Sequence, residues 1–178
     1  MGLKKIDKMA EEKGSFITTL WQFVKFIVVS LGAFVIQTFL PLLIKLLPPI
    51  KAILKEPYAF FVFASDGTEN NGLGIFIAAT VSNIIAQIVA FFINKEKTFN
   101  SSANVAITLP IYIVFTVALI CFSAWLTPTL QGFFVSKGMN TDLALSITSA
   151  CCGAIQFFLY FPVDKILFRK KKEDNEAK

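Results

Sequence analysis

Asn94, Lys95, Glu96 and Lys97 stand together just where a long apolar run stops, in the stretch FFINKEKTF (91–99). A related stretch, FPVDKILF, occurs at 161–168. Cations at such an edge have two uses. A single lysine beside an apolar segment ordinarily snorkels, laying its stem along hydrocarbon and its ammonium in water. Several cations around one opening can instead hold the phosphate of a lipid headgroup. Lys25, Lys95, Lys97, Lys165 and Arg169, with Asn94 beside them, are the candidates for such a lipid-phosphate site.

The apolar runs themselves carry amides, which are costly in hydrocarbon unless they find partners. Thr80, Asn83, Gln87 and Asn94 fall within about 60° of one another on a helix, and Ser146, Ser149, Gly153, Gln156, Tyr160 and Asp164 within about 80°. Both seams descend towards the charged stretches. Small and polar residues commonly glue membrane helices together, and that reading suits Ser146, Ser149 and Gly153. Asn83, Gln87 and Gln156 are more amides than packing requires, so with Tyr160 and Asp164 they are candidates to line a substrate path.

Acid–base catalysis finds little to work with. The chain has no His, and its spans hold no pair of acids and no metal-ligand cluster, so no catalytic residue, metal or cofactor is expected. Cys121, Cys151 and Cys152 fall in apolar segments without disulfide or metal spacing and read as packing residues. A net charge of +5 is accounted for by lysines that set topology, so no nucleic-acid partner is expected.

What must position these groups is a membrane bundle. Of 178 residues, 55% are hydrophobic and 16% charged, with 20 Phe. Soluble domains carry roughly 25% charged residues. Four segments reach the roughly 20 apolar residues that cross a bilayer: 23–44, 73–93, 105–126 and 143–162. The first is too long for a signal-peptide core and lacks a cleavage site after it. The expected fold is therefore an all-α membrane protein with four transmembrane helices spread over 23–168, and membrane is its first partner.

Lysine and arginine favour the cytoplasmic side. They crowd before the first span, between spans two and three, and after span four, which places both termini in the cytoplasm. Lys45, Lys51, Lys55 and Lys137 on the other side are balanced by Glu56, Asp66, Glu69 and Asp142. Residues 1–22 mix Ile6, Met9, Phe16, Ile17 and Leu20 with charges, as an interfacial amphipathic helix would. In the outer loop, 45–72, prolines break any long helix, IKAILKE can form one or two interfacial turns, and SDGTENNG is turn chemistry. The tail, 169–178, is a solvated basic anchor.

The chain resembles the GtrA-like family of small four-span membrane proteins. FVKFIVVSLGAF (23–34) is similar to the family's opening cation–Phe pair with a following glycine. Phe91, Asn94, Lys95, Thr98 and Phe99 carry its Phe-x-x-Asn-Arg/Lys-x-x-Thr/Val-Phe signature, repeated after span four by Phe161, Lys165 and Phe168. The resemblance covers about residues 21–170. Lys97 stands where an aromatic residue is usual, Asp164 replaces a small polar residue, Gln37 lies where an acid is frequent, and the second motif is one residue short.

The resemblance implies multi-pass insertion in a bacterial plasma membrane and a part in cell-envelope polysaccharide glycosylation. The expected activity is flippase-type translocation of a polyprenyl-phosphate-linked sugar such as an undecaprenyl phosphate derivative. The alternative is a membrane anchor or activator of a polyprenyl-phosphate glycosyltransferase, without transport of its own. A glycosyltransferase is an expected partner in either case, and a homodimer would help a small bundle enclose a path. A four-span drug exporter would need an acid in the first span, and 23–44 has none. The doubled motif fits two parallel two-helix repeats, since an even-span unit repeats with the same side facing in.

Overall fold

A computed structural model describes residues 2–67 and 72–169. Residues 68–71 of the SDGTENNG turn, and the basic tail from residue 170 onward, lie outside the described residues. Four helices are long and apolar enough to cross a membrane, so the chain has the all-α, four-span architecture of a multi-pass membrane protein.

Helix α1, Leu3–Glu12, is amphipathic, and the chain turns at Gly14, where a φ of 103° suits a residue without a side chain. Helix α2, Ser15–Ile44, then runs without a break. The first span therefore begins inside the stretch expected to be interfacial. Thr18 and Trp21 on α2 bind α1 through the Ala10 carbonyl and the Asp7 carboxylate, so α1 is tied to the first turns of α2.

The described part of the 45–72 loop is more ordered than its prolines alone indicate. It forms α3, Pro48–Ala52, and a hairpin of β1, Tyr58–Phe60, with β2, Phe63–Ser65. Tyr58 and Phe63 pack on Phe76 of the next span, while Phe60 and Phe61 at the hairpin tip are exposed. Backbone bonds from Leu73 to Glu56 and from Gly74 to Ile53 tie this loop to the following helix.

Helix α4, Leu73–Ile93, ends in a wider turn over Asn94–Thr98, closed by a bond from the Phe99 amide to the Asn94 carbonyl. Such π turns often mark functional sites. Helix α5, Val105–Ser136, continues about ten residues past the expected end of span three, through Pro110 and Pro128. Helix α6, Thr141–Leu167, passes through Pro162. Membrane helices tolerate proline because neighbouring groups satisfy the freed carbonyl. At about 1.5 Å per residue, α2 and α5 exceed a hydrocarbon core of about 30 Å, so they overhang or tilt.

Helix α2 packs chiefly on α4, and α5 on α6. Gly74, Ala78, Ser82, Ala86 and Ala90, each four positions from the last, form a stripe of buried small residues on α4. Along it Ala86 and Ala90 pack on Val29, Ala33 and Ile36 of α2, while Gly74 sits against Ile50 and Leu54. Without an apolar driving force in lipid, such stripes associate helices by letting backbones approach closely. Lys165 donates to Thr19 Oγ1 at 2.7 Å and Lys25 to the Lys97 carbonyl at 2.6 Å. The start of α2, the π turn and the end of α6 therefore meet at one end of the bundle.

Candidate functional site

Between the helix pairs lies a cavity of about 320 Å³, bounded by α2, α4, α5 and α6. Gln87 and Asn94 reach it from α4 and the π turn, Tyr112 from α5, and Gln156 and Tyr160 from α6. These are four of the expected polar residues and one, Tyr112, that sequence reasoning did not single out. Phe26, Ile27, Ser30, Leu31, Phe34 and Gln37 of α2 form the opposite wall, which is mainly apolar. Ile27, Leu31 and Phe34 are also exposed on the bundle surface, so the cavity borders the zone where lipid tails lie.

Each amide is oriented by a partner. Tyr112 donates to Gln87 Oε1 at 2.9 Å, which leaves the Gln87 NH2 group for a guest. Gln156 donates to Ser123 Oγ at 2.6 Å, which leaves its carbonyl as an acceptor. Tyr160 donates to Thr116 Oγ1 at 3.1 Å. The cavity therefore offers both a donor and an acceptor within largely apolar walls, the chemistry of a site for a neutral polyhydroxyl group. Asn83 does not line the cavity. It accepts a long bond of 3.4 Å from Gln37, joining α4 to α2.

Asn94 is not at the rim. It is 1% exposed and donates to Asp164 Oδ2 at 2.8 Å, while its own Oδ1 accepts from Thr98 at 2.9 Å. The π turn explains how a buried amide can sit beside charged residues in FFINKEKTF. Asn94 and Thr98 face inward, whereas Glu96 and Lys97 are exposed and Lys95 half-buried. Asp164 is also fully enclosed, and so belongs to the interior pair with Asn94 and not to the lining of the cavity.

The cations divide. Lys165 and Arg169 line a second cavity, about 420 Å³, together with Ser15, Thr18, Thr19, Gln22 and Glu11. Lys25 occupies an adjoining crevice and is paired with Asp7 at 2.9 Å, close to the Trp21 ring. Lys25 thus pins α1 and the π turn against α2. Lys95 and Lys97 line neither space. The reason is helical phase: consecutive positions of the turn cannot share one face, so a charge run divides around the bundle.

An aromatic layer separates the central cavity from the basic one. Phe161 lies 4.9 Å from Phe23, 5.4 Å from Phe26 and 6.1 Å from Phe99, ring centre to ring centre. Phe26 faces the central cavity and Phe99 the basic one. The small-residue stripe of α4 and the partners Tyr112, Thr116 and Ser123 were also missed in the sequence. Both had a legible signal in their spacing: the stripe repeats every four positions, and Thr108, Tyr112, Thr116 and Ser123 fall within about 80° of one another on α5. The chain matches no family model, no curated protein and no solved structure.

Proposed function

We propose that this protein translocates a polyprenyl-phosphate-linked sugar across a bacterial plasma membrane, with both termini cytoplasmic, for glycosylation of a cell-envelope polysaccharide. The observation that carries this reading is the amide-lined central cavity adjoining lipid on one side and, across a phenylalanine layer, a pocket holding Lys165 and Arg169. A lipid-linked sugar has matching parts. Its tail stays in hydrocarbon, its single charge suits the cations, and its hydroxyls suit Gln87 and Gln156. Carrying the head unaided through hydrocarbon would strand every one of those polar groups. The cavity volume of about 320 Å³ lies within the roughly 300–1,000 Å³ range of small-molecule sites. The resemblance to GtrA-like proteins points the same way.

The phosphate is assigned to Lys165 and Arg169, because Lys25 already has Asp7 as its counter-ion. Purified protein in vesicles, supplied with polyprenyl-phosphate sugar on one leaflet, tests this. Translocation is expected without any added transferase, reduced at least tenfold by Gln87→Leu with Gln156→Leu, a loss of about 1.4 kcal/mol in transition-state binding. Lys165→Ala with Arg169→Ala should raise the substrate concentration needed. Protein that moves no lipid alone, yet co-purifies with a glycosyltransferase and raises its activity, would instead be an anchor or activator.

A further inference from the structure

Asp164 is the one buried carboxylate among the described residues. Its Oδ2 accepts from Asn94, while Oδ1 is enclosed without a hydrogen-bond partner. The titratable groups that face it are phenols, Tyr112 from α5 and Tyr160 from its own helix. From the π turn it meets the neutral amide of Asn94, itself held by Thr98. Of the cations at this end of the bundle, Lys25 is engaged with Asp7 and the Lys97 carbonyl and Lys165 with Thr19. Arg169 faces the basic pocket, Lys97 is exposed and Lys95 half-buried, and among the described residues no cation pairs with Asp164. An ionised carboxylate enclosed in this way lacks a counter-charge, and burying a charge unpaired is among the costliest arrangements a protein can hold. Asp164 lines none of the cavities described above, so whatever compensates it is very small.

We propose that Asp164 binds a monovalent cation, a proton or a sodium ion, behind Asn94, and that occupancy of this site is transmitted to the central cavity through the Asn94 side chain. Asn94 is suited to that task because it touches both places: it lines the cavity and donates to the carboxylate. A charged acceptor holds its donor more tightly than a neutral one does. With the cation absent, Asn94 is drawn to Asp164 and the π turn is clamped to α6. With the cation bound, that bond weakens and the amide can turn towards a guest. A transporter of this design would couple substrate movement to a cation gradient. The coupling rests on the transport reading given above, whereas the cation site itself does not.

Infrared difference spectra of the full chain in lipid nanodiscs, unmodified minus Asp164→Asn, isolate the protonated-carboxyl band of this one residue. Spectra would be taken from about pH 5 to about pH 9 in sodium and in choline salts, a window wide enough to catch a shifted carboxyl group. A band that fades with rising pH equally in both salts identifies the proton. A band that sodium abolishes at a pH where choline preserves it identifies sodium. A band of constant intensity throughout in both salts, or its absence throughout in both, overturns the proposal. Should Asp164→Asn fail to fold, NMR of isotope-labelled aspartate carboxyls in the unmodified chain reads the same criterion. A titrating Asp164 in protein that translocates no lipid would overturn the transport reading alone.

Discussion

Asn94 and Asp164 lie 70 positions apart and meet in a 2.8 Å hydrogen bond at which neither is more than 1% exposed. They occupy matching places in the two related stretches, three residues after Phe91 and Phe161. The corresponding ends of the two helix pairs therefore close on each other. Phe91, Tyr112, Tyr160 and Phe168 belong to one buried cluster at this end of the bundle, so the polar contact sits among buried aromatic side chains.

That placement makes the pair a stability element as well as a candidate site. Asp164→Ala strands the Asn94 amide and opens a void, and should cost about 2 kcal/mol or more. Asp164→Asn keeps shape and neutral hydrogen bonding and should cost clearly less. Thermal unfolding of detergent-purified protein separates the two. Equal losses would mean that the carboxylate–amide contact holds nothing together.

Phe161 should act as the partition between the cavities. Its three ring contacts at 4.9, 5.4 and 6.1 Å are each worth about 0.5–1.5 kcal/mol. Truncation by Phe161→Ala should let water and small reagents pass from the basic pocket to the amides. In a background with Cys121, Cys151 and Cys152 replaced, a thiol placed by Ser30→Cys would report this. Its reaction with a membrane-impermeant reagent should accelerate several-fold on Phe161→Ala. An unchanged rate would show that some other group seals the passage.

Gly74 should not tolerate a side chain. A Cβ there would lie 2.6 Å from the Ile50 carbonyl oxygen, against rigid backbone. Gly74→Ala should therefore cost about 1–3 kcal/mol and loosen the docking of α3 on α4. Gly132, with nothing within 4 Å of its Cβ position, offers the control. Gly132→Ala should be neutral or stabilising by up to about 1 kcal/mol. Melting temperatures of the two variants, with proteolysis of the 45–72 loop, check the contrast.

The amino-acid sequence by itself determined the solvent this chain folds in and the number of times it crosses that solvent. Both follow from summed hydropathy over about 20 residues, a property that does not depend on which helix neighbours which. It also determined that Gln87, Gln156 and Tyr160 point to one side of their helices, because helical phase is a local matter. Tertiary structure alone decided which charges meet. Lys25 found Asp7 through a turn at Gly14, and Asn94 was drawn inward by a π turn that no composition rule marks. Seams on α4 and α6 acquired partners from α5: Tyr112 donates to Gln87, while Thr116 and Ser123 accept from Tyr160 and Gln156. Contacts of that kind depend on helix rotation and crossing, set by small-residue stripes and aromatic packing across the whole bundle, and a linear pattern does not encode them locally.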